Sequence, residues 1–244
     1  MKLTRRANGR FHFISSIAAS GSGIIPIVKE EPVIRRPELP VAQGYGQSKY
    51  VCEHLGGAAK RLWGTSVDIY RVGQMSGDSK YGAWNTSEMI SLIICIGGGE
   101  LGQMPSEGQD IRWIPVDTAA SSIVDIALQD YVENDDVHHI LNPHAISWST
   151  FLHYLQTAGL HFQIVKPDQW LENVLTSQTA LVKLQSFFDT FFTSKSGFQV
   201  SEYETMKSEL RTEYLHSCPP VNMKLIRKYL TFWYNIGFLT TGYQ

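Results

Sequence analysis

Tyr45 and Lys49 are the residues whose types and spacing first suggest chemistry. They lie four residues apart at the start of an amphipathic run, so on a helix both side chains lie on one face. An ammonium on that face favours the phenolate form of a tyrosine, which makes Tyr45 a tunable proton donor. The same spacing recurs at Tyr203 and Lys207, so the residues around each pair must distinguish them.

A short strand upstream and a helix are predicted to position the first pair. Residues 10–17 are mostly apolar and aromatic, and Ser15 and Ser16 lie near their end. A Gly/Ser loop follows, so the segment predicts a buried strand with a polar tip. Residues 24–40 contain four prolines, which predicts a surface loop. Apolar side chains then recur at the spacing of a helix that begins at Tyr45 and stops at Gly64. These are Val51, Leu55, Ala58 and Leu62.

A second strand completes the unit that builds parallel sheets. Residues 66–72 alternate in the manner of a strand, so the order is strand, loop, helix, strand. A short helix is predicted from Thr86 or Ser87 to Ile96, stopped by glycines 97–99. Asp117 is predicted to cap a helix that runs to about Tyr131, followed by a strand at 137–141.

The pattern of alternating strands and helices fades beyond residue 142. The following segments are predicted to be mostly helical, with an extended piece only near 162–165. They are residues 148–158, 168–176, 180–192, 201–215 and 221–236. We therefore predict an α/β region over residues 1–142 and a smaller, mostly helical region over 143–244.

The composition excludes several classes of protein. A net charge of -2 and a pI near 6.4 give no basic footprint for nucleic acid or anionic lipid. The three scattered cysteines predict a reducing, intracellular compartment rather than a disulfide framework. The longest apolar run, residues 92–96, is far short of the roughly 20 residues that span a bilayer. We therefore expect a cytoplasmic protein without a membrane segment.

Ser16, Tyr45 and Lys49 are predicted to face one crevice. In a parallel sheet the ligand crevice lies at the carboxyl ends of the strands, where Ser16 ends one strand and Tyr45 opens the next helix. A hydroxyl beside a phenol can hold a carbonyl oxygen by two hydrogen bonds and protonate it as charge develops. The second pair, Tyr203 and Lys207, lacks a preceding strand with a hydroxyl tip, and a solvated helical face is predicted for it.

Other motifs carry less weight. Gly97, Gly99 and Gly102 match a dinucleotide fingerprint, but residues 103–108 cannot open the helix that such a site needs, so a loop is predicted. His138 and His139 point to opposite faces of a strand, and no metal site is predicted. No Gly-x-Ser-x-Gly elbow supports a hydrolase. The aromatic cluster within 187–192 fits core packing or a partner surface.

Several short motifs together resemble a known family. They are FHFISS at 11–16, GYGQSK at 44–49, YRVGQ at 70–74, GD at 77–78, GAWN at 82–85, IPVD at 114–117 and NPH at 142–144. The chain resembles the extended short-chain dehydrogenase/reductases, whose active site combines a Ser or Thr, a Tyr and a Lys four residues on. More closely, it resembles the terminal thioester reductase domains of fungal nonribosomal peptide and polyketide synthetases.

The resemblance implies an activity and residue roles. Such domains use NADPH to reduce an acyl group held as a phosphopantetheine thioester on a carrier protein, releasing an aldehyde or an alcohol. Tyr45 would be the proton donor, Lys49 the ribose and phenolate partner, and Ser16 the carbonyl hydrogen-bond donor. Val72 and Gly73 would lie beside the nicotinamide. The implied fold is α/β, with a Rossmann-like parallel sheet and a mostly helical carboxyl-terminal region for substrate and carrier.

The sequence also departs from that family. Only residues 1–9 precede the first strand, whereas the family places further strands, helices and the glycine-rich turn for the cofactor pyrophosphate there. We therefore expect an amino-terminally truncated Rossmann-like sheet that binds NADP(H) weakly or not at all. The strand at residues 11–14 would expose an apolar edge, which predicts a homodimer or a partner chain covering it, or else a marginally stable fragment.

Two alternative functions stay open at this point. The first is a redox-neutral enzyme in which Ser16 and Tyr45 polarise a carbonyl for cyclisation or condensation without NADPH, since acid and hydrogen-bond catalysis needs no dinucleotide. The second is an inactive fragment or a module that docks a carrier protein.

Overall fold

The computed structural model describes residues 1–41, 43–132, 136–177 and 201–243. The helices, numbered α1 to α9 in chain order, are Lys2–Arg6, Gly44–Trp63, Met89–Leu92, Val116–Leu128, Trp148–Thr157, Pro167–Thr176, Met206–Arg211, Glu213–His216 and Met223–Asn235. The strands, β1 to β9, are Arg10–Ser16, Ile27–Val28, Ser66–Val72, Met75–Ser76, Gln103–Pro105, Ile114–Pro115, Val137–Ile140, Gln163–Val165 and Glu202–Tyr203. The predicted α/β class is confirmed.

The chain divides into two compact units built from interleaved segments. Unit 1 contains Met1–Met75, Thr118–Pro143 and Gln199–Cys218, and unit 2 contains the remaining segments. The division into residues 1–142 and 143–244 as separate domains stays a prediction.

A parallel three-stranded sheet forms the centre of unit 1. Its order is β1-β3-β7, and Ser16 pairs with Val72, which in turn pairs with Ile140. All three strands therefore end at the same edge of the sheet. β1 lies at one side of this described sheet and leaves Ile14 47% exposed, as expected for an edge strand.

Helix α2 packs on this sheet through its small residues. Gly46, Gly56 and Ala59 are buried together with Glu53. A Cβ placed on Gly56 would lie 3.2 Å from a methyl group of Val67 in β3, so the small face permits a close approach. The larger apolar residues that predict the helix lie on its other side. Val51, Leu55 and Leu62 are 53%, 56% and 77% exposed.

The ends of α2 follow the sequence closely. The helix ends at Trp63, and Gly64 adopts the left-handed conformation with φ of 63°, which glycine adopts without strain. Lys60 and Arg61 lie in the last turn, where cations complement the helix dipole.

Unit 2 contains a π-helix at Ile93–Glu100 that the sequence did not predict. The predicted stop at glycines 97–99 is wrong, because the helical segment continues through them. A Cβ on Gly98 would lie 2.9 Å from Leu160, and one on Gly99 would lie 2.6 Å from Leu239. The glycines therefore serve close packing inside this unit and do not end the helix.

Asp117 is not the residue that precedes the helix, as predicted, because α4 already begins at Val116. It lies in the first turn of α4 and accepts hydrogen bonds from the backbone N and the hydroxyl of Ser79 at 2.8 and 2.7 Å. The helix ends at Leu128 rather than near Tyr131.

The predicted carboxyl-terminal helices are confirmed in part. α5, α6 and α9 lie where residues 148–158, 168–176 and 221–236 predict them. The predicted helix at 180–192, with its aromatic cluster, lies outside the described residues. The single helix predicted at 201–215 is wrong, because β9, α7 and α8 occupy that stretch. β9 pairs in parallel with β2 in unit 1.

Candidate active site at the carboxyl edge of the sheet

Ser16 is the last residue of β1 and the start of the turn that follows. Its backbone is extended, and its Oγ accepts a hydrogen bond from the backbone N of Ala18 at 3.2 Å, which caps the 3₁₀ turn Ile17–Ala19. The residue is 9% exposed. A hydroxyl that accepts one hydrogen bond keeps its own proton to donate, so Ser16 can still act on a carbonyl oxygen.

Tyr45 lies in the first turn of α2 with its side chain 58% exposed. The next residue, Gly46, brings the helix against the turn that follows Ser16. A Cβ on Gly46 would lie 2.7 Å from the carbonyl oxygen of Ala18, and the backbone N of Val41 donates to the same oxygen at 2.9 Å. The start of the helix and the turn after β1 are therefore in contact, and a crevice shared by Tyr45 and Ser16 stays a prediction.

Lys49 lies one turn further along α2 and is directed at β1. Its Nζ donates a hydrogen bond to the carbonyl oxygen of Ile14 at 2.9 Å. The same ammonium lies 5.2 Å from the ring centre of Phe13 and 5.5 Å from that of Tyr45, distances at which a cation is attracted to an aromatic face. An ammonium has three N–H donors, so two are left for other partners.

Val72 and Gly73 lie at the end of β3, beside Ser16. Val72 pairs with Ser16 in the register of the sheet. The backbone N of Gly73 donates to the carbonyl oxygen of Ile140 at 2.9 Å, and a Cβ on Gly73 would lie 2.7 Å from Cβ of Leu141. Glycine is therefore required here for the close approach of two chain segments.

A buried charge cluster behind these residues was missed in the sequence. Arg71 donates to both carboxylate oxygens of Glu53, with the shortest distance 2.7 Å, and Ser15 donates to Glu53 at 2.6 Å. Arg71 also donates to the carbonyl oxygens of Lys29 and Glu31 at 3.4 and 3.1 Å. The signal was present, because Glu53 follows Tyr45 and Lys49 at the same four-residue interval.

His139 in β7 extends this cluster. Its Nε2 lies 3.2 Å from Nη1 of Arg71 and its Nδ1 lies 2.6 Å from the carbonyl oxygen of Glu204. Since a guanidinium only donates and a carbonyl only accepts, these partners assign a neutral ring with its proton on Nδ1. Burial, with a further contribution from Arg71, lowers the pKa of His139 to about 3.

Glu30 connects the same region to α7. Its carboxylate accepts hydrogen bonds from the backbone N of Lys207 at 2.7 Å and from the backbone N of His139 at 3.0 Å, and also from the hydroxyl of Ser208. Burial raises the pKa of Glu30, against the opposing effect of these hydrogen bonds.

The second tyrosine and lysine pair is not the solvated helical face that was predicted. Tyr203 lies in β9, and its hydroxyl donates to the carbonyl oxygen of Ile17 at 2.7 Å. Lys207 lies in α7, and its Nζ donates to the carbonyl oxygen of Glu30 at 2.8 Å. Burial raises the pKa of Tyr203. The prediction is wrong because these side chains are used in tertiary contacts that the local sequence does not specify.

Other candidate sites do not gain support. Gly97 and Gly99 of the fingerprint match lie buried in the π-helix of unit 2, which is not the amino terminus of a helix following a strand. Within the described ranges, no group of three or more His, Cys, Asp or Glu side chains is arranged to hold a metal ion. Of the helices in the described part of the chain, none has the length and apolar character needed to cross a membrane.

The geometry defines what the site can do. Ser16 ends β1 at the edge where the parallel strands end, Tyr45 lies exposed in the first turn of α2, and the ammonium of Lys49 lies 5.5 Å from the centre of the Tyr45 ring. Two hydroxyl donors suit a carbonyl oxygen that gains negative charge, and an exposed phenol can deliver a proton to it.

The chain matches known proteins along most of its length. Residues 2–123 match an NAD-binding family described as "Male sterility protein". The chain is 31% identical over 243 residues to the non-ribosomal peptide synthetase ascB of Acremonium egyptiacum, covering 95% of this chain and 22% of that protein. It is 30% identical over 259 residues to 3-methylorcinaldehyde synthase of a Phoma species, covering 94% of this chain and 9% of that protein.

A solved structure shows the same fold. The terminal R domain from the myxalamid PKS-NRPS biosynthetic pathway superimposes with a TM-score of 0.83 at 26% identity, covering 96% of this chain and 60% of that one. The predicted Rossmann-like α/β fold is confirmed by this match. The chain spans less than a quarter of either curated relative and three fifths of the solved domain.

Proposed function

Because the chain belongs to the NAD-binding family described as "Male sterility protein" and matches reductase domains of peptide and polyketide synthetases, we propose that it is a thioester reductase. In the proposed reaction an acyl thioester on a phosphopantetheine arm, NADPH and one proton give an aldehyde, a free pantetheine thiol and NADP⁺. A second round of reduction would give the alcohol.

The observation that carries this proposal is the meeting of β1 and α2 at the carboxyl edge of the sheet. The would-be Cβ of Gly46 lies 2.7 Å from the carbonyl oxygen of Ala18, so the turn after Ser16 and the helix that begins with Tyr45 are in contact. Ser16 donates a hydrogen bond to the thioester oxygen, and Tyr45 protonates that oxygen as the carbonyl is reduced. Lys49, beside the Tyr45 ring, supports the phenolate that remains.

The residues present fit the nicotinamide end of the cofactor. NADPH supplies the hydride when it is bound. Lys49 keeps two N–H donors for ribose hydroxyls after its bond to Ile14, and the Tyr45 phenol is exposed beside it. Val72 and Gly73 end β3 next to Ser16, where a flat nicotinamide ring can lie against the end of the sheet. The choice of NADPH over NADH is part of the proposal.

A carrier protein is the proposed partner. This proposal is supported by the similarity of the chain to a non-ribosomal peptide synthetase and to a 3-methylorcinaldehyde synthase. We also infer that the edge of β1, which pairs with no further strand among the described residues, is covered by a second copy or a partner chain, since an unpaired strand edge is a template for further pairing. Sedimentation tests this inference, and a monomer across the accessible concentration range would contradict it.

The proposed function is tested by titrating NADPH into the protein and then adding an acyl-pantetheine thioester. We expect weak but saturable binding, loss of nicotinamide absorbance and formation of an aldehyde. Tyr45→Phe should still bind NADPH but lose turnover. Product formed without any nucleotide would favour the redox-neutral alternative. If the protein neither binds NADPH nor forms any product, both the reductase and the redox-neutral enzyme are contradicted.

A further inference from the structure

The charge pair of Glu53 and Arg71 lies wholly inside unit 1. Glu53 is 3% exposed and Arg71 is 1% exposed. Three hydrogen bonds of 2.7 to 3.1 Å join the guanidinium to the carboxylate. Removing two charges from water is so costly that a buried pair seldom stabilises a protein more than apolar residues of the same size. Fold stability alone is therefore a poor explanation of this pair.

Glu53 shares a helical face with the candidate catalytic residues. Tyr45, Lys49 and Glu53 follow one another at four-residue intervals, which places them on one side of α2. Lys49 binds the carbonyl oxygen of Ile14, and Glu53 binds the hydroxyl of Ser15. Two successive turns of the helix are thus attached to two successive residues of β1.

The strand side of this attachment leads directly to Ser16. Ser15 pairs with Arg71 in the sheet, and Ser16 pairs with Val72. The Ser15 hydroxyl and the Arg71 guanidinium both reach Glu53, so one carboxylate holds two neighbouring strands. Any shift of α2 along β1 would break these bonds and change the distance between Tyr45 and Ser16.

Arg71 is itself held from several directions. Besides Glu53, it binds the carbonyl oxygens of Lys29 and Glu31 and the ring of His139. Every N–H of the guanidinium has a partner, which fixes its orientation as well as its charge. A fully satisfied polar network of this kind specifies one arrangement of the elements that it joins.

We propose that Glu53, through Ser15 and Arg71, is a positioning residue that sets Tyr45 against Ser16. This rests on the proposed function of the site. Glu53 touches neither substrate nor cofactor and acts only by fixing α2 on β1 and β3.

The test compares two buried serines of unit 1. Ser15→Ala removes the hydrogen bond between β1 and Glu53 and leaves the charge pair intact. Ser122→Ala removes a hydroxyl that is 0% exposed and bonds to Thr118 within its own helix, so it controls for the loss of a buried hydroxyl. If Ser15→Ala fails to fold, Ser15→Cys keeps the size of the side chain with a weaker donor.

Two readouts separate positioning from stability. We expect Ser15→Ala to lower kcat about tenfold with KM within about twofold of wild type, and Ser122→Ala to leave both unchanged. We also expect the NMR signal of ring-labelled Tyr45, identified by its loss in Tyr45→Phe, to move in Ser15→Ala but not in Ser122→Ala.

The second readout keeps the two proposals distinguishable. If wild type reduces no thioester, the proposed function fails, and the Tyr45 signal alone decides on positioning. An unmoved signal in Ser15→Ala, or equal changes in both serine variants at equal loss of thermal stability, would overturn the positioning role of Glu53.

Discussion

Two pairs of a tyrosine and a lysine, each four residues apart, lie in different secondary-structure elements of this protein. Tyr45 and Lys49 share one face of α2, and the Tyr45 side chain is 58% exposed. Tyr203 lies in β9 and Lys207 in α7, so the second pair does not share a helix. The Tyr203 hydroxyl donates to the carbonyl oxygen of Ile17 at 2.7 Å.

The difference shows that spacing alone does not make a proton donor. A phenol that donates its proton to the protein's own backbone is not free to give it to a substrate, and burial raises the pKa of Tyr203. Yet the two pairs are related in space, because Lys49 binds β1 at Ile14 and Tyr203 binds the turn after it at Ile17. In our proposal Tyr45 and Lys49 react with the substrate, whereas Tyr203 holds the turn after Ser16 and Lys207 holds the backbone at Glu30.

The largest effect is expected from removing each phenol hydroxyl. Tyr45→Phe should lower kcat by at least about 100-fold, the usual contribution of a general acid, while the exposed position keeps the change in unfolding free energy below about 0.5 kcal/mol. Tyr203→Phe should have the reverse profile, with about 0.5–1.5 kcal/mol lost because the Ile17 carbonyl loses one hydrogen bond and keeps the one from the backbone N of Ser20. Steady-state kinetics and denaturant unfolding measure both. Equal kinetic losses in the two variants would erase the distinction.

The second prediction concerns the contact that places Tyr45 against the turn. Gly46→Ala puts a Cβ 2.7 Å from the carbonyl oxygen of Ala18, whereas Gly44→Ala meets no atom within 4 Å. We expect Gly46→Ala to lower the unfolding free energy by about 1–3 kcal/mol and to reduce kcat, because the helix and the turn must separate. Gly44→Ala should be neutral or stabilise by up to about 1 kcal/mol. Similar unfolding curves for the two variants would show that this contact is loose.

The third prediction compares the lysines. Lys49→Met should lower kcat about tenfold, because the ammonium beside the Tyr45 phenol is lost. Lys207→Met should leave kcat within about twofold and lower the unfolding free energy by about 1 kcal/mol, through the lost bond to the Glu30 carbonyl. A kinetic defect confined to Lys207→Met would reverse the assignment of the two pairs.

The fourth prediction is a pH dependence of stability around the second pair, with a small effect for each pH unit. His139 packs edge-on against Tyr203, and burial lowers its pKa from 6.5 to about 3. Below about pH 6.5 the His139 ring is protonated in the unfolded chain, but in the folded chain it stays neutral down to about pH 3. The free energy of unfolding therefore falls as the pH falls through this range. Denaturant unfolding should show a loss of about 1 kcal/mol per pH unit near pH 5.

Variants of a buried and an exposed histidine show which side chain causes this pH dependence. His139→Gln should reduce the slope and leave a smaller one, because burial also lowers the pKa values of His12 and His54, whereas the exposed His153→Gln should keep the full slope. An unchanged slope in His139→Gln would place the main titrating group elsewhere.

The sequence predicts local elements well where local rules determine them. β1, α2 and β3 lie where apolar patterning places them, and α2 stops at Gly64. The predicted burial of β1 is wrong, because Ile14 is exposed while Ser15 and Ser16 are buried. The exposed side of α2 could not be inferred, because Gly56 and Ala59 face the sheet in place of Val51 and Leu55.

The errors concern residues whose roles depend on distant partners. The π-helix keeps its glycines buried against Leu160 and Leu239, which lie far away in sequence. Likewise Tyr203 is identified as a support of the turn only once its contact with Ile17 is known. Both roles are set by packing across the chain rather than by spacing.

The central proposal is that Ser16, Tyr45 and Lys49 catalyse the transfer of hydride from NADPH to a thioester. It is tested most directly by incubating the protein with an acyl-pantetheine thioester and NADPH that carries deuterium at the transferable position of the nicotinamide. The account predicts an aldehyde that carries one deuterium on its carbonyl carbon, formed by wild type and by Gly44→Ala but not by Tyr45→Phe. A released product without deuterium, or the same labelled aldehyde from Tyr45→Phe at the wild-type rate, would contradict it.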